Sequence, residues 1–283
     1  MMETYQKRFY SRSFDSILEV ANHIDDNMHH VPMQGHAHSM DSAMKYDAAM
    51  HVARNGGYFP QGAKDIKAVE LNLNDFDMHA LSLPQPINSV VGHRPDVAAY
   101  MANSPMSMIK FTQHPQPNRL IKIFVNVCKT WDISDTVSLN RGNGILSVIN
   151  ALDAAGYSTE IWAGMRTGHR KHSISMDVCI KQSTAHYSLD SIAFALANDG
   201  FLRRVLFSAF HIAVATGNHD QTEAIQKIDR NSWGFRQGLT YPDYDLFFDY
   251  LDASSGRWTK ENSIQKVIDI TKDQLANKLG DAA

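Results

Sequence analysis

The run Leu120-Ile-Lys-Ile-Phe-Val-Asn-Val127 narrows the folds open to this chain more than any other feature. Only Lys122 and Asn126 interrupt its apolar residues, the pattern of a strand covered on both faces rather than one. A polar loop, Cys128 to Leu139, follows it. Beyond the loop, Ile145, Leu146, Val148, Ile149, Leu152 and Ala155 recur at helical spacing, which predicts a helix over 141–155 with Asn143, Ser147, Asn150 and Asp153 left for water. Gly156 suits the left-handed residue that ends a helix. Tyr157 to Met165 then has strand character through Tyr157, Thr159, Ile161 and Trp162. A strand, a crossover helix and a second strand make a right-handed βαβ unit. The fold class expected is α/β, an open and mostly parallel sheet with an antiparallel edge strand and helices on both faces.

The edge strand is assigned to Ser173 to Lys181, where Ile174, Met176, Val178 and Ile180 alternate with polar residues. Tyr244 to Leu251 reads as the last strand, and Thr259 as the cap of a closing helix striped by Ile264, Val267, Ile268, Leu275 and Leu279. Ser188 caps a further helix to Asn198. Upstream, residues 13–26 read as a short helix capped by Ser13 or Asp15, and Met40 to Asn55 as a second one stopped by Gly56 and Gly57. Pro95 and Asp96 start another over 96–103. Residues 1–118 are therefore taken as a helical and irregular extension packed on a core of residues 119–283.

At 43% hydrophobic, 283 residues can bury one large core. Two cysteines, Cys128 and Cys179, do not make a disulfide framework and fit a reducing compartment. No stretch approaches the roughly 18 apolar residues of a membrane span, so no membrane partner is expected. A formal charge of −3 shows no overall basic excess, which moves the question of nucleic acid from the whole chain to local patches.

One such patch stands out. In Arg166-Thr-Gly-His-Arg-Lys-His172 five of seven residues are Arg, Lys or His. Clustered cations near an aromatic ring suit a phosphate backbone and stacked bases, which makes Arg166, His169, Arg170, Lys171, His172 and Trp162 the candidate nucleic-acid contacts. The alternative is a solvated hairpin turn. A second candidate surface is the loop after the first strand, because ligands collect at the carboxyl ends of parallel strands; its partner-facing residues would be Lys129, Trp131, Asp132 and Asp135. Arg141-Gly-Asn-Gly144 reads as a helix opening able to hold an anion. His29, His30, His36 and His38 raise the question of a metal, but no acid or cysteine joins them at fixed spacing. No nucleophile, base and acid recur at an interpretable spacing, so no catalytic residue, metal or cofactor is expected.

The strand, polar loop, helix ending in Ala-Ala-Gly and second strand resemble the opening of a von Willebrand factor A-type domain. That family places an Asp-x-Ser-x-Ser metal motif after the first strand, where this chain has Asn126-Val-Cys128-Lys-Thr130. An amide and a thiol in place of an aspartate and a serine are poor ligands for a hard cation. Further segments resemble a family of uncharacterised tailed-phage proteins: Ala48 to Gly56 with Pro60 to Ala63, Val91-Gly92 with Pro95 to Tyr100, the 121–156 unit, and Asp243 to Leu251 with Trp258. The resemblance implies a degenerate A-domain-like fold, a phage origin and residence in the cytoplasm of the infected host cell. It carries no catalytic residues. The leading expectation is a non-catalytic binding protein for single-stranded DNA that recruits transcription or replication machinery, such as a phage or host polymerase. The alternatives are a metal-free scaffold for a host or phage protein and, behind it, a metal-dependent hydrolase.

Overall fold

The computed structural model describes residues 8–30, 44–66, 86–92, 94–102, 104–111, 120–130, 133–154, 157–169, 172–216, 243–251 and 258–280. Its strands are β1 (Arg8–Phe14), β2 (Pro86–Ser89), β3 (Arg94–Pro95), β4 (Met108–Phe111), β5 (Leu120–Asn126), β6 (Ser158–His169), β7 (His172–Lys181) and β8 (Leu246–Phe248). Its α-helices are α1 (Ile17–Asp26), α2 (Tyr46–Arg54), α3 (Pro60–Asp65), α4 (Val97–Met101), α5 (Asp135–Ala154), α6 (Leu189–Ile192), α7 (Phe207–Thr216) and α8 (Ser263–Gly280). Between α6 and α7 the chain widens into two π-helical stretches, Ala193–Ala197 and Phe201–Leu206.

Five strands form the main sheet in the order β1-β7-β6-β5-β8. The βαβ unit is present: β5 and β6 pair in parallel from Leu120 opposite Ser158 to Asn126 opposite Gly164, with α5 between them in sequence. β8 joins β5 in parallel, and β7 runs antiparallel to β6. The α/β class and the mostly parallel sheet with an antiparallel strand are as the sequence predicts. That strand is second from the border, because β1 pairs in parallel with its outer side. Ser13 and Phe14 thus belong to a strand, and α1 starts later, with Ser16 as its cap accepting from the Glu19 N–H at 3.1 Å. β2, β4 and β3 form a separate three-stranded antiparallel sheet. Beside it Asp96 caps α4 by accepting from the Ala99 N–H.

The alternation of strand side chains sorts the main sheet into two unlike faces. Ile121, Ile123 and Val125, Ile161, Ala163 and Met165, Met176 and Val178, and Leu246 and Phe248 all enter one hydrophobic core with residues of α1, α2, α5, α7 and α8. The other face carries Phe124, fully buried, among Asn126, Arg166, Ser175 and Asp177.

α5 corrects the expected helix twice. It begins at Asp135, so the loop after β5 is shorter and Arg141 to Gly144 lie inside the helix, not at an anion-binding opening. It is also buried nearly all round: Ser147, assigned to water, is 1% exposed and donates to the Asn143 carbonyl at 2.7 Å. Gly144 is a contact point, where a Cβ would sit 3.0 Å from that of Val267 on α8. Thr259 likewise does not cap α8, which starts at Ser263.

β1 and α1 meet through His23. Its Nδ1 lies 3.2 Å from Arg12 Nη2 and 3.3 Å from Asn27 Nδ2. Both are obligate donors, so Nδ1 is an acceptor and the imidazole is neutral. Burial, then the Arg12 charge, lower its pKa below the ordinary 6.5, with Asp26 and Glu19 opposing. The unfolded chain therefore takes up this proton first, and the contribution of His23 to stability is whole above pH 6.5 and lost as pH falls through the lowered folded value. Urea unfolding at about pH 7.5 and about pH 5.5 should show a smaller loss on acidification in His23→Gln than in the parent chain.

Candidate nucleic-acid interface

The carboxyl ends of β5, β6 and β8 are tied together by side chains from inside the protein. Asn126 donates from Nδ2 to the Arg166 carbonyl at 2.9 Å and to Asp249 Oδ1 at 3.4 Å, while its Oδ1 accepts from the Cys128 N–H at 3.2 Å. Arg141, 2% exposed, reaches from α5 to donate to the carbonyls of Asn126 at 3.0 Å, Phe248 at 2.9 Å and Asp249 at 2.5 Å. Its guanidinium also lies 5.4 Å from the centroid of Trp258.

Lys129 fills the position where a ligand would collect. Its ammonium is 2.7 Å from Asp199 and 3.1 Å from Asp135, and within 3.5 Å of Ser138 Oγ. The Lys129 side chain is 5% and that of Asp199 6% exposed, whereas Asp135 is 62% exposed at the start of α5. Asp199 stands at the break between the two π-helical stretches. Of the expected partner loop, Lys129 is thus turned inward and Asp135 outward, while Trp131 and Asp132 lie outside the described residues. Among the described residues no three His, Cys, Asp or Glu side chains come together as a metal site.

On the polar face of the sheet Arg166 is also committed to internal partners. It forms a two-pronged ion pair with Asp177, which also accepts from Ser175 Oγ at 2.7 Å and Tyr244 OH at 3.2 Å. The guanidinium stacks 4.4 Å from the Phe124 centroid and 5.1 Å from that of Tyr244. Burial, reinforced by Asp177, raises the Tyr244 pKa and keeps its phenol a donor. Trp162 donates from Nε1 to Glu160 at 2.8 Å. At the rise of a strand it lies roughly 23 Å along β6 from His169. Cys179 opposite it is buried, and burial pushes its thiol up to about 11, away from nucleophilic character at neutral pH.

The hairpin end holds His169 and His172 of the basic cluster. His169 and His172 are the last opposed pair of β6 and β7, and Arg8 at the start of β1 is in register with His172. The expected turn is therefore shorter, since Arg166 to His169 are already strand. Arg170 and Lys171, between the two histidines in sequence, lie outside the described residues, as do His36 and His38. Arg8 was absent from the expected set; only the pairing of β1 brings it there.

A family model described as a domain of unknown function matches residues 3–278, nearly the whole chain. The chain belongs to this family, DUF7192. No curated protein and no solved structure matches it. The DUF7192 match spans β1 through most of α8, so the family embraces both the hairpin end and the tied carboxyl ends of the sheet. Among the described residues no helix is long and apolar enough to cross a membrane.

Proposed function

We propose that this is a non-catalytic, phage-encoded binding protein with an A-domain-like fold, which holds single-stranded DNA at the β6–β7 hairpin end. It would work in the cytoplasm of the infected host cell, recruiting transcription or replication machinery such as a phage or host polymerase. The observation that supports this reading is the register of β1, which sets Arg8 beside His172 and His169 and so gathers basic residues from two distant segments at one end of the sheet. Between those histidines the sequence places Arg170 and Lys171. Cations at one end of a sheet give a backbone-binding surface that needs no base-specific contacts.

The test is fluorescence anisotropy of a labelled single-stranded oligonucleotide at low and high salt. Binding at low salt should weaken as salt rises. Changing Arg170 and Lys171 together to Ala should reduce the salt slope by about 1 to 1.5. Trp162→Ala should leave affinity unchanged, given its distance from the hairpin end. No binding at low salt would sink the reading.

A further inference from the structure

The two borders of the main sheet are finished differently. At β8 the side-chain amide of Gln274, on α8, donates to the Phe247 carbonyl at 2.8 Å and accepts from the Phe247 N–H at 2.7 Å. One side chain thereby stands in for a neighbouring strand. At β1 nothing among the described residues does the same. A parallel ladder uses alternate residues of a strand, so the remaining N–H and C=O groups of β1 point away from β7. Ser11, Arg12 and Ser13 on that border are exposed.

The open border is also charged. Arg8 and Arg12 lie on it four residues apart, and Arg12 has no carboxylate partner among the described residues; its guanidinium rests 5.1 Å from the Phe14 centroid and against His23. A second copy of the chain is a poor occupant. Antiparallel self-pairing about Tyr10 sets Arg8 opposite Arg12, and pairing about Arg12 sets it opposite itself; like charges directly across strands are destabilising. Basic residues on an edge strand block such pairing. The exposed Arg12 charge favours a strand with acids at alternate positions, whose backbone completes the ladder while a carboxylate meets Arg12.

We propose that the open edge of β1 accepts one extended acidic peptide, from a partner protein, as a sixth strand of the sheet. This surface adjoins the hairpin end at Arg8, but it rests on Arg12 and the exposed border of residues 11–13 and does not depend on the nucleic-acid reading.

The probe is a fluorescein-labelled peptide of about nine residues alternating Glu with Val or Thr, titrated into the full chain and followed by anisotropy and by hydrogen exchange at residues 11–13. Binding should slow exchange there. Arg12→Glu should weaken binding by about fivefold, the scale of an exposed ion pair, and should favour the matching Lys peptide instead. Arg12→Gln should fall between the two. A peptide methylated at alternate backbone nitrogens should not bind. Equal binding of the methylated peptide would overturn the proposal, because the ladder would then not be used. So would protection of residues 11–13 in a self-associated protein without peptide, since the occupant would be a second copy. Displacement of the peptide by the oligonucleotide, with Arg12→Glu weakening both, would also overturn it and assign β1 to the nucleic-acid surface; loss of oligonucleotide binding alone would touch only the hairpin reading.

Discussion

Arg141→Met should lower unfolding stability by about 3–5 kcal/mol, the cost of breaking up a buried charged network. The side chain is 2% exposed and satisfies carbonyls on both β5 and the segment leaving β8. A methionine of similar length fills much of the space but donates nothing, so acceptors at Asn126, Phe248 and Asp249 lose their donor at the centre of the molecule. Arg141→Lys should recover only part of the loss, because one ammonium cannot reproduce a planar fork spanning two strands. Urea unfolding followed by circular dichroism measures both. A loss below about 1 kcal/mol, within the range of an ordinary surface substitution, would show that the carbonyls find other donors.

Asp177→Ala should destabilise by a similar amount, about 3–5 kcal/mol, since it leaves the inward-facing guanidinium of Arg166 without its counter-charge. It also removes the acceptor used by Ser175 and Tyr244. Arg166→Met with Asp177→Leu, which takes away both charges together, should be milder than either single loss, as apolar replacements of buried ion pairs are tolerated better than orphaned ones. Unfolding of the two single variants and the double variant forms a cycle that isolates the coupling. Additive losses would mean that the pair does not act as a unit. In the DNA-binding assay the same Arg166 substitution offers a contrast: any effect it has on affinity should follow its effect on stability, unlike that of Arg170 and Lys171.

The local parts of the fold were readable from sequence, and the long-range parts were not. β5, β6 and β7 announce themselves through apolar runs or alternation, because burial on a sheet selects side chains directly. β1 carries no such mark. Arg8-Phe-Tyr-Ser-Arg-Ser-Phe14 mixes polar and aromatic residues, and its strand identity comes from a partner far along the chain, at His172 to Val178. The start of α5 was hidden for another reason. Gly142 and Gly144 suggest a break by propensity, yet close packing against Ala197 and Val267 selects small residues there and overrides it. The same distinction governs the candidate sites. A run of cations is visible as letters, whereas the internal partners of Arg166 and Lys129 are Asp177 and Asp199, set by hairpin register in one case and by a π-helical junction in the other. Neither pairing leaves a spacing signature.

Gln274 has a consequence for stoichiometry. A sheet with two open borders can be extended at either side, and repeated head-to-tail extension is how open filaments grow. With the β8 border occupied by a side chain of the same molecule, a strand arriving at β1 meets a main sheet with no second open border among the described residues. Strand addition of the proposed kind at β1 would therefore stop at one protein and one added strand, giving a complex of fixed size at any concentration.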